Sequence, residues 1–148
     1  LKAFLDELDM PLNHIKPHGS LYVMASKDEE MSRAIADAVT PFNVSIYGMA
    51  NTAHEKIYKE ERKLDFVAEF YADLDYDKNG KLVIAKGKNA IYDSNLAVER
   101  ALRAVSEKKV KTTSGTDIDV GCDTICVHSD TPNAVEIITK LKNALSKK

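Results

Sequence analysis

Short apolar stretches alternate with amphipathic ones along this chain, and that alternation constrains its fold more than any other feature. Leu12 to Ile15 runs into the breakers Pro17 and Gly19, and Met31, Ala34, Ile35, Ala38 and Val39 then line one helical face. Val44 to Tyr47 is a second β-rich run, ended by Gly48 and followed by a helical pattern reaching about Arg62. Asp65 to Phe70 supplies a third strand, and Thr124 to Val127 a buried-type fourth ahead of a helix with Val135, Ile138, Leu141 and Leu145 on one face. Strands that alternate with helices predict parallel β-α units, with right-handed crossovers placing helices outside and strands inside. The predicted class is α/β.

Local signals place the boundaries. Ser26 with Glu29, and Thr52 with Glu55, have the spacing of capping boxes, the first opening a helix from about Lys27 to Val39. Thr131 followed by Pro132 reads as a cap and first-turn proline for the last helix, and Ser94 begins another through Ala97, Ala101, Leu102 and Val105. Leu1, Phe4, Leu5 and Leu8 repeat at helical spacing. Asp77-Lys78-Asn79-Gly80 reads as a turn within an inserted hairpin or long loop over 71–92, and Lys108 to Val120 as a polar hairpin turning at Ser114-Gly115.

With 148 residues the chain is long enough for a single domain, burying roughly 68–70% of the surface its unfolded form exposes. A net charge of -2 with mixed signs offers no basic stripe, which argues against nucleic acid as a partner. No apolar run approaches the ~20 residues that cross a bilayer, and the start at Leu1 lacks the layout of a signal peptide, so a cytoplasmic setting is expected. Cys122 and Cys126 fit neither a redox pair nor a zinc half-site and are expected to stay reduced, with Cys126 buried in its strand. A closed barrel of parallel strands takes about eight strands and ~250 residues, so four strands predict part of a larger barrel, entered partway along at Leu1. Its open edges predict pairing with another chain or a homo-oligomer.

In such sheets ligands bind at the carboxyl ends of the strands. Those ends carry Lys16 and His18, Gly48 and Asn51, Glu69 and Asp73, and His128, Ser129 and Asp130. A cation and an imidazole flanking a rigid proline suit charge stabilisation and proton transfer at Lys16-Pro17-His18-Gly19, although a structural ion pair and a backbone contact explain the spacing equally well. Asp75-x-Asp77-x-Asn79-Gly80 matches the first half of a calcium loop, but its twelfth position is Lys86 and not Glu, so a polar hairpin turn is the better reading. His14 beside a strand and His54 in a first helical turn have ordinary explanations as solvated or hydrogen-bonded imidazoles.

Ile15-Lys16-Pro17-His18-Gly19-Ser20-Leu21-Tyr22 resembles the K-P-H-G-A-L-Y signature of the LamB/YcsF lactam-utilisation family, whose members are also described as the A component of 5-oxoprolinase. Met24 to Glu30, Glu69 followed by Tyr71-Ala72-Asp73 and Tyr76, and Gly80 to Val83 resemble the family's middle region in the same order. Asp123 to Pro132 resembles its closing D-T-I-C-V-H-G-D-T-P. The resemblance covers nearly the whole chain.

What it implies is a distorted, TIM-like β/α barrel related to sugar deacetylases, and ATP-dependent opening of 5-oxo-L-proline to L-glutamate together with other 5-oxoprolinase subunits. Carried over by position, Lys16, His18, Glu69 and His128 are the candidate catalytic residues, and Gly19, Tyr22, Asn51, Asp73 and Asp130 the candidate substrate-binding ones. A divalent metal is compatible with this chemistry, with no ligand set singled out. No G-x-x-x-x-G-K-[ST] loop occurs, so any nucleotide is held by other means. The family's N-terminal motifs have no counterpart here, Leu74 stands where an Arg usually follows A-D, and Lys86 to Ala90 lack the R-x-x-P-G-A pattern. Two other readings stay open: a metal-dependent deacetylase or amidohydrolase on the same barrel, and a non-catalytic assembly module docking through an open edge.

Overall fold

Parallel strand pairing organises both halves of the chain. The computed structural model describes residues 1–84 and 93–146, and the chain divides into two compact units, Leu1–Ala68 and Glu69–Lys148. The fold class is α/β, as the alternation predicts.

The first unit contains α1 (Lys2–Glu7), β1 (His14–Ile15), α2 (Gly19–Ala25), α3 (Glu29–Val39) and β2 (Ser45–Gly48), then the start of β3 (Phe66–Tyr71). His14 lies opposite Ser45 and Ile15 opposite Ile46; on the other side of β2, Ile46 faces Phe66 and Gly48 faces Ala68. Helix α2 has no counterpart in the sequence pattern, which stops at the Pro17–Gly19 break. Its entry depends on Gly19, whose φ of +59° lies in the left-handed region. The cap of α3 also differs from expectation: Asp28 accepts the Met31 N–H at 3.0 Å, whereas the Ser26 hydroxyl donates backwards to the Val23 carbonyl at 2.9 Å. Ala36 and Val39 of α3 pack with Ile46, Ile57 and Tyr58 in a core edged by Ile15, Leu64 and Phe66. Each fully buried aliphatic chain such as Ile46 or Ile57 contributes about 1.5–3 kcal/mol.

Between β2 and β3 the chain forms a π-helix, Glu55–Glu61. The expected capping box there is displaced by one residue. The Thr52 hydroxyl accepts the His54 N–H at 3.2 Å, while the Glu55 carboxylate reaches the Asn51 N–H at 2.9 Å.

The second unit continues β3 and adds β4 (Asp75–Tyr76), β5 (Leu82–Val83), α4 (Ser94–Glu107), β6 (Lys109–Lys111), β7 (Asp117–Asp119), β8 (Thr124–Cys126) and α5 (Ala134–Leu145). Glu69 pairs with Thr124 and Tyr71 with Cys126, in parallel. Strands β4 and β5 form an antiparallel pair whose turn is held by Asp77, its carboxylate accepting the N–H groups of Asn79 at 2.8 Å and Lys81 at 2.9 Å. This is the polar turn expected there. The remainder of the expected insertion, 85–92, including Lys86 to Ala90, lies outside the described residues. Strands β6 and β7 form the predicted hairpin, Val110 opposite Ile118. Helix α4 is capped by Asp93 and packs on α5; Ala97, Ala101 and Ala104 present small buried side chains, and Ile137 and Leu141 are the large buried residues of α5. Cys122 is buried and Cys126 only half-buried, the reverse of the expected emphasis, because β8 presents partly covered residues throughout. Among the described residues no helix is long and apolar enough to cross a membrane.

Candidate functional site

In the first unit Lys16 and Tyr22, of the predicted residues, meet at an aromatic column. Lys16 is half-buried, with its ammonium 5.6 Å from the centroid of the Tyr22 ring, within reach of a cation–π attraction. Tyr22, in α2, is buried and meets His54 edge to face at 4.7 Å and 76°. His54 in turn stacks on Tyr58 at 5.1 Å.

Nothing in the residue pattern singles out His54, yet its side chain is wholly buried and its Nδ1 accepts the Met49 N–H at 3.2 Å. An accepting Nδ1 places the ring proton on Nε2, which is buried without a hydrogen bond of ordinary geometry. Burial lowers the His54 pKa from 6.5 to about 4, against a smaller opposing effect of the Tyr22 backbone, so the ring is neutral near pH 7. Of the two ordinary explanations expected at this position, solvated or hydrogen-bonded, the second holds, and the imidazole is a buried core residue. Its signal lay in Gly48: a Cβ there would stand 2.8 Å from Phe66 Cε2 and 2.9 Å from His54 Cβ, so the strand end is glycine because two rings close over it.

Pro17 is buried, but His18 and Gly19 beside it are exposed. Asn51 is exposed too, with φ of +59°. An open hollow of about 580 Å³ lies at the other end of these strands, bordered by Asn13, Asn43, Ser45, Lys63 and Asp65. None of the predicted residues lines it.

In the second unit the structure brings together Asp73, His128 and Thr131. Asp73 follows β3 and is wholly buried. Its Oδ2 accepts the backbone N–H of His128 at 2.7 Å and the Thr131 hydroxyl at 2.8 Å, and its Oδ1 lies 3.0 Å from His128 Nδ1. Burial alone would raise the Asp73 pKa; the bonds from the His128 ring, the His128 N–H and the Thr131 hydroxyl outweigh it and hold the carboxyl below its ordinary value. A carboxylate beside Nδ1 fixes the proton there and leaves the basic lone pair on Nε2. The His128 side chain is 37% exposed. Asp73, expected against substrate, thus spends its oxygens on His128 and Thr131.

Tyr71 stacks on the His128 ring at 5.8 Å and 17°, and its hydroxyl donates to Glu69 at 2.8 Å. Glu69 is buried and accepts from the same tyrosine whose ring lies against His128. Asp130 is exposed and has no side-chain bond to this cluster. Thr131, expected to cap α5, does not: the helix starts at Ala134 after Asn133, which makes no side-chain cap. Asp75, from the calcium-loop pattern, instead accepts Arg100 Nη1 at 2.8 Å, while Nη2 donates to the Leu74 carbonyl at 2.6 Å. Among the described residues no group of three or more His, Cys, Asp or Glu side chains converges as a metal site would require.

Comparison with known proteins adds an independent line. The sequence profile of the LamB/YcsF family matches residues 1–148. The chain is 38% identical over 150 residues to the 5-oxoprolinase A-subunit of Campylobacter jejuni subsp. doylei, covering 99% of this chain and 58% of that protein. It is 39% identical over 148 residues to the 5-oxoprolinase A-subunit of Oceanobacillus iheyensis, covering 98% of this chain and 57% of the relative. Among solved structures, the lactam utilization protein of Thermus thermophilus superposes with a TM-score of 0.87 at 36% identity, over 99% of this chain and 59% of that one. The chain therefore spans less than two thirds of the length of the curated relatives it matches.

Proposed function

Because this chain belongs to the LamB/YcsF family, we propose that it acts as an A-type component of a 5-oxoprolinase, opening 5-oxo-L-proline to L-glutamate with ATP and partner subunits. Two relatives named as A-subunits of that enzyme support a multi-subunit assembly. The observation that carries the chemistry is the pairing of His128 Nδ1 with the buried Asp73 carboxylate at 3.0 Å.

A lactam is a poor electrophile, and its hydrolysis needs a proton taken from water and one delivered to nitrogen. Nε2 of His128 removes the water proton as the oxygen bonds to the lactam carbonyl carbon. The same nitrogen returns that proton to the ring nitrogen as the carbon–nitrogen bond breaks, which balances the addition of one water. Asp73 keeps the ring in the required tautomer and stabilises the imidazolium between the two transfers. Tyr71, oriented by Glu69, fixes the ring plane from its face. By family resemblance the first unit carries candidates of its own, Lys16 as a positive charge and the exposed His18 as a proton carrier. By the same resemblance Gly19, Tyr22 and Asn51 in the first unit, and Asp130 in the second, remain candidates for substrate contact.

ATP supplies the driving force for opening an unstrained amide. When bound, the nucleotide would supply activation of the lactam carbonyl oxygen as a phosphate leaving group, and the chain has no Walker-type glycine-rich turn to hold it.

The test is ATP-dependent 5-oxo-L-proline turnover by this chain combined with its partner subunits, for the unaltered protein and for His128→Gln. A properly folded His128→Gln variant loses about 10²–10⁴-fold in kcat. Full turnover without ATP, or undiminished turnover in the variant, contradicts the proposal.

A further inference from the structure

We propose that Thr131 is a positioning residue that holds the Asp73–His128 pair in its working geometry. The inference rests on the reading of His128 as the base and goes beyond it by naming the group that fixes the carboxylate. The Thr131 hydroxyl is buried and donates to Asp73 Oδ2 at 2.8 Å, across 58 positions of sequence. Its backbone N–H donates to the His128 carbonyl at 3.2 Å, closing the turn between the two residues. Thr131 therefore touches both partners of the pair, the carboxylate with its side chain and His128 with its main chain.

The local alternative for this hydroxyl was a helix cap, and the structure leaves that alternative unused. Ala134 N–H is bonded to the Thr131 carbonyl at 3.0 Å, so the backbone of Thr131 serves the start of α5 while its hydroxyl is committed to Asp73. The consequence is geometric. Oδ2 receives two donors of fixed position, the His128 N–H at 2.7 Å and the hydroxyl at 2.8 Å, which orient the carboxylate so that both its oxygens face the ring, Oδ2 lying 3.1 Å from Nδ1. Oδ1 is then presented to Nδ1 at 3.0 Å. With one donor removed, the plane is free to turn about the remaining bond, and Nδ1 faces an acceptor of variable orientation.

Thr131→Val keeps the shape and deletes the donor, while Thr131→Ser keeps the donor and deletes a methyl group. Long-range ¹H–¹⁵N spectra of the His128 ring, recorded where the ring is neutral, report which nitrogen bears the proton. The unaltered chain and Thr131→Ser give the Nδ1–H tautomer, and Thr131→Val gives a mixture of both tautomers. In the assembled enzyme Thr131→Val lowers kcat about tenfold with KM within about twofold, and Thr131→Ser restores it. Should the Val variant fail to fold, Thr131→Cys, similar in size with a weaker donor, is read in the same way. An unshifted tautomer and unchanged kcat in the donor-deleted variant overturn the inference. If His128→Gln retains turnover, the base assignment fails by itself, and the ring spectra still decide whether Thr131 positions the pair.

Discussion

Asp73 grips His128 twice, its Oδ2 taking the backbone N–H at 2.7 Å and its Oδ1 facing the ring Nδ1 at 3.0 Å. One buried carboxylate thus fixes both the strand end and the imidazole that projects from it. Asp73→Asn retains the size but replaces one acceptor oxygen with a donor. An Asn that keeps the backbone bond with its oxygen places an NH₂ group 3.0 Å from Nδ1 and leaves the neutral amide oxygen at 3.1 Å, so the Nδ1–H tautomer loses its charged acceptor and the ring shifts toward Nε2–H. The expected outcome is a loss of about 10³–10⁴-fold in kcat, with KM little changed, measured by steady-state turnover in the assembled enzyme.

The same carboxylate links stability to pH. Its pKa is lowered in the folded chain, so its contribution is complete above the ordinary Asp value of 3.8 and is lost as the pH falls through the lower folded value. Urea denaturation across the acid range should show a loss of stability in that window that disappears in Asp73→Asn.

His54 gives a second and separate pH dependence. Its folded pKa of about 4 lies below its ordinary 6.5, so the unfolded chain binds the proton more readily and protonation favours unfolding. The stability that depends on a neutral ring is complete above pH 6.5 and is lost as the pH falls to about 4. The total is about 3 kcal/mol. His54→Leu removes this slope, although it also leaves the Met49 N–H without its acceptor and lowers stability at neutral pH by about 1–3 kcal/mol. Denaturation at pH 7.5, 5.5 and 4 separates the two effects.

Two glycines should respond differently to alanine. Gly48→Ala places a methyl group against Phe66 and His54 inside contact distance and costs about 1–3 kcal/mol through overpacking. Gly19 has open space around its missing Cβ, so Gly19→Ala costs about 1–2 kcal/mol through its left-handed φ alone, and Gly19→Asn less. Midpoints of urea unfolding for the three variants check the ranking.

The alternation of apolar runs and helical faces made the α/β class legible, because period and burial are written along the chain itself. Helix caps are less legible, and the reason is competition. Ser26 bonds back to Val23, and Thr131 bonds to a carboxylate 58 positions away, so the hydroxyls that local spacing offers to a cap are taken elsewhere. Helix α2 is hidden in the sequence because Pro17 and Gly19 have the pattern of an ending, whereas the left-handed Gly19 turns the chain into a new helix. At the candidate site, Lys16 and His128 stood out by residue type and strand-end position. The burial of His54 did not, since an imidazole two residues after Thr52 reads like any first-turn polar residue until two tyrosines and Phe66 are placed around it.

On this reading His128 presents Nε2 as a base because Asp73 holds its Nδ1 proton. The most direct measurement is the long-range ¹H–¹⁵N spectrum of the unaltered chain with the His128 ring neutral, recorded before and after addition of 5-oxo-L-proline. The expected result is a protonated Nδ1, an unprotonated Nε2, and an Nε2 resonance that moves when the lactam is added. A ring found with its proton on Nε2 in both spectra would contradict it.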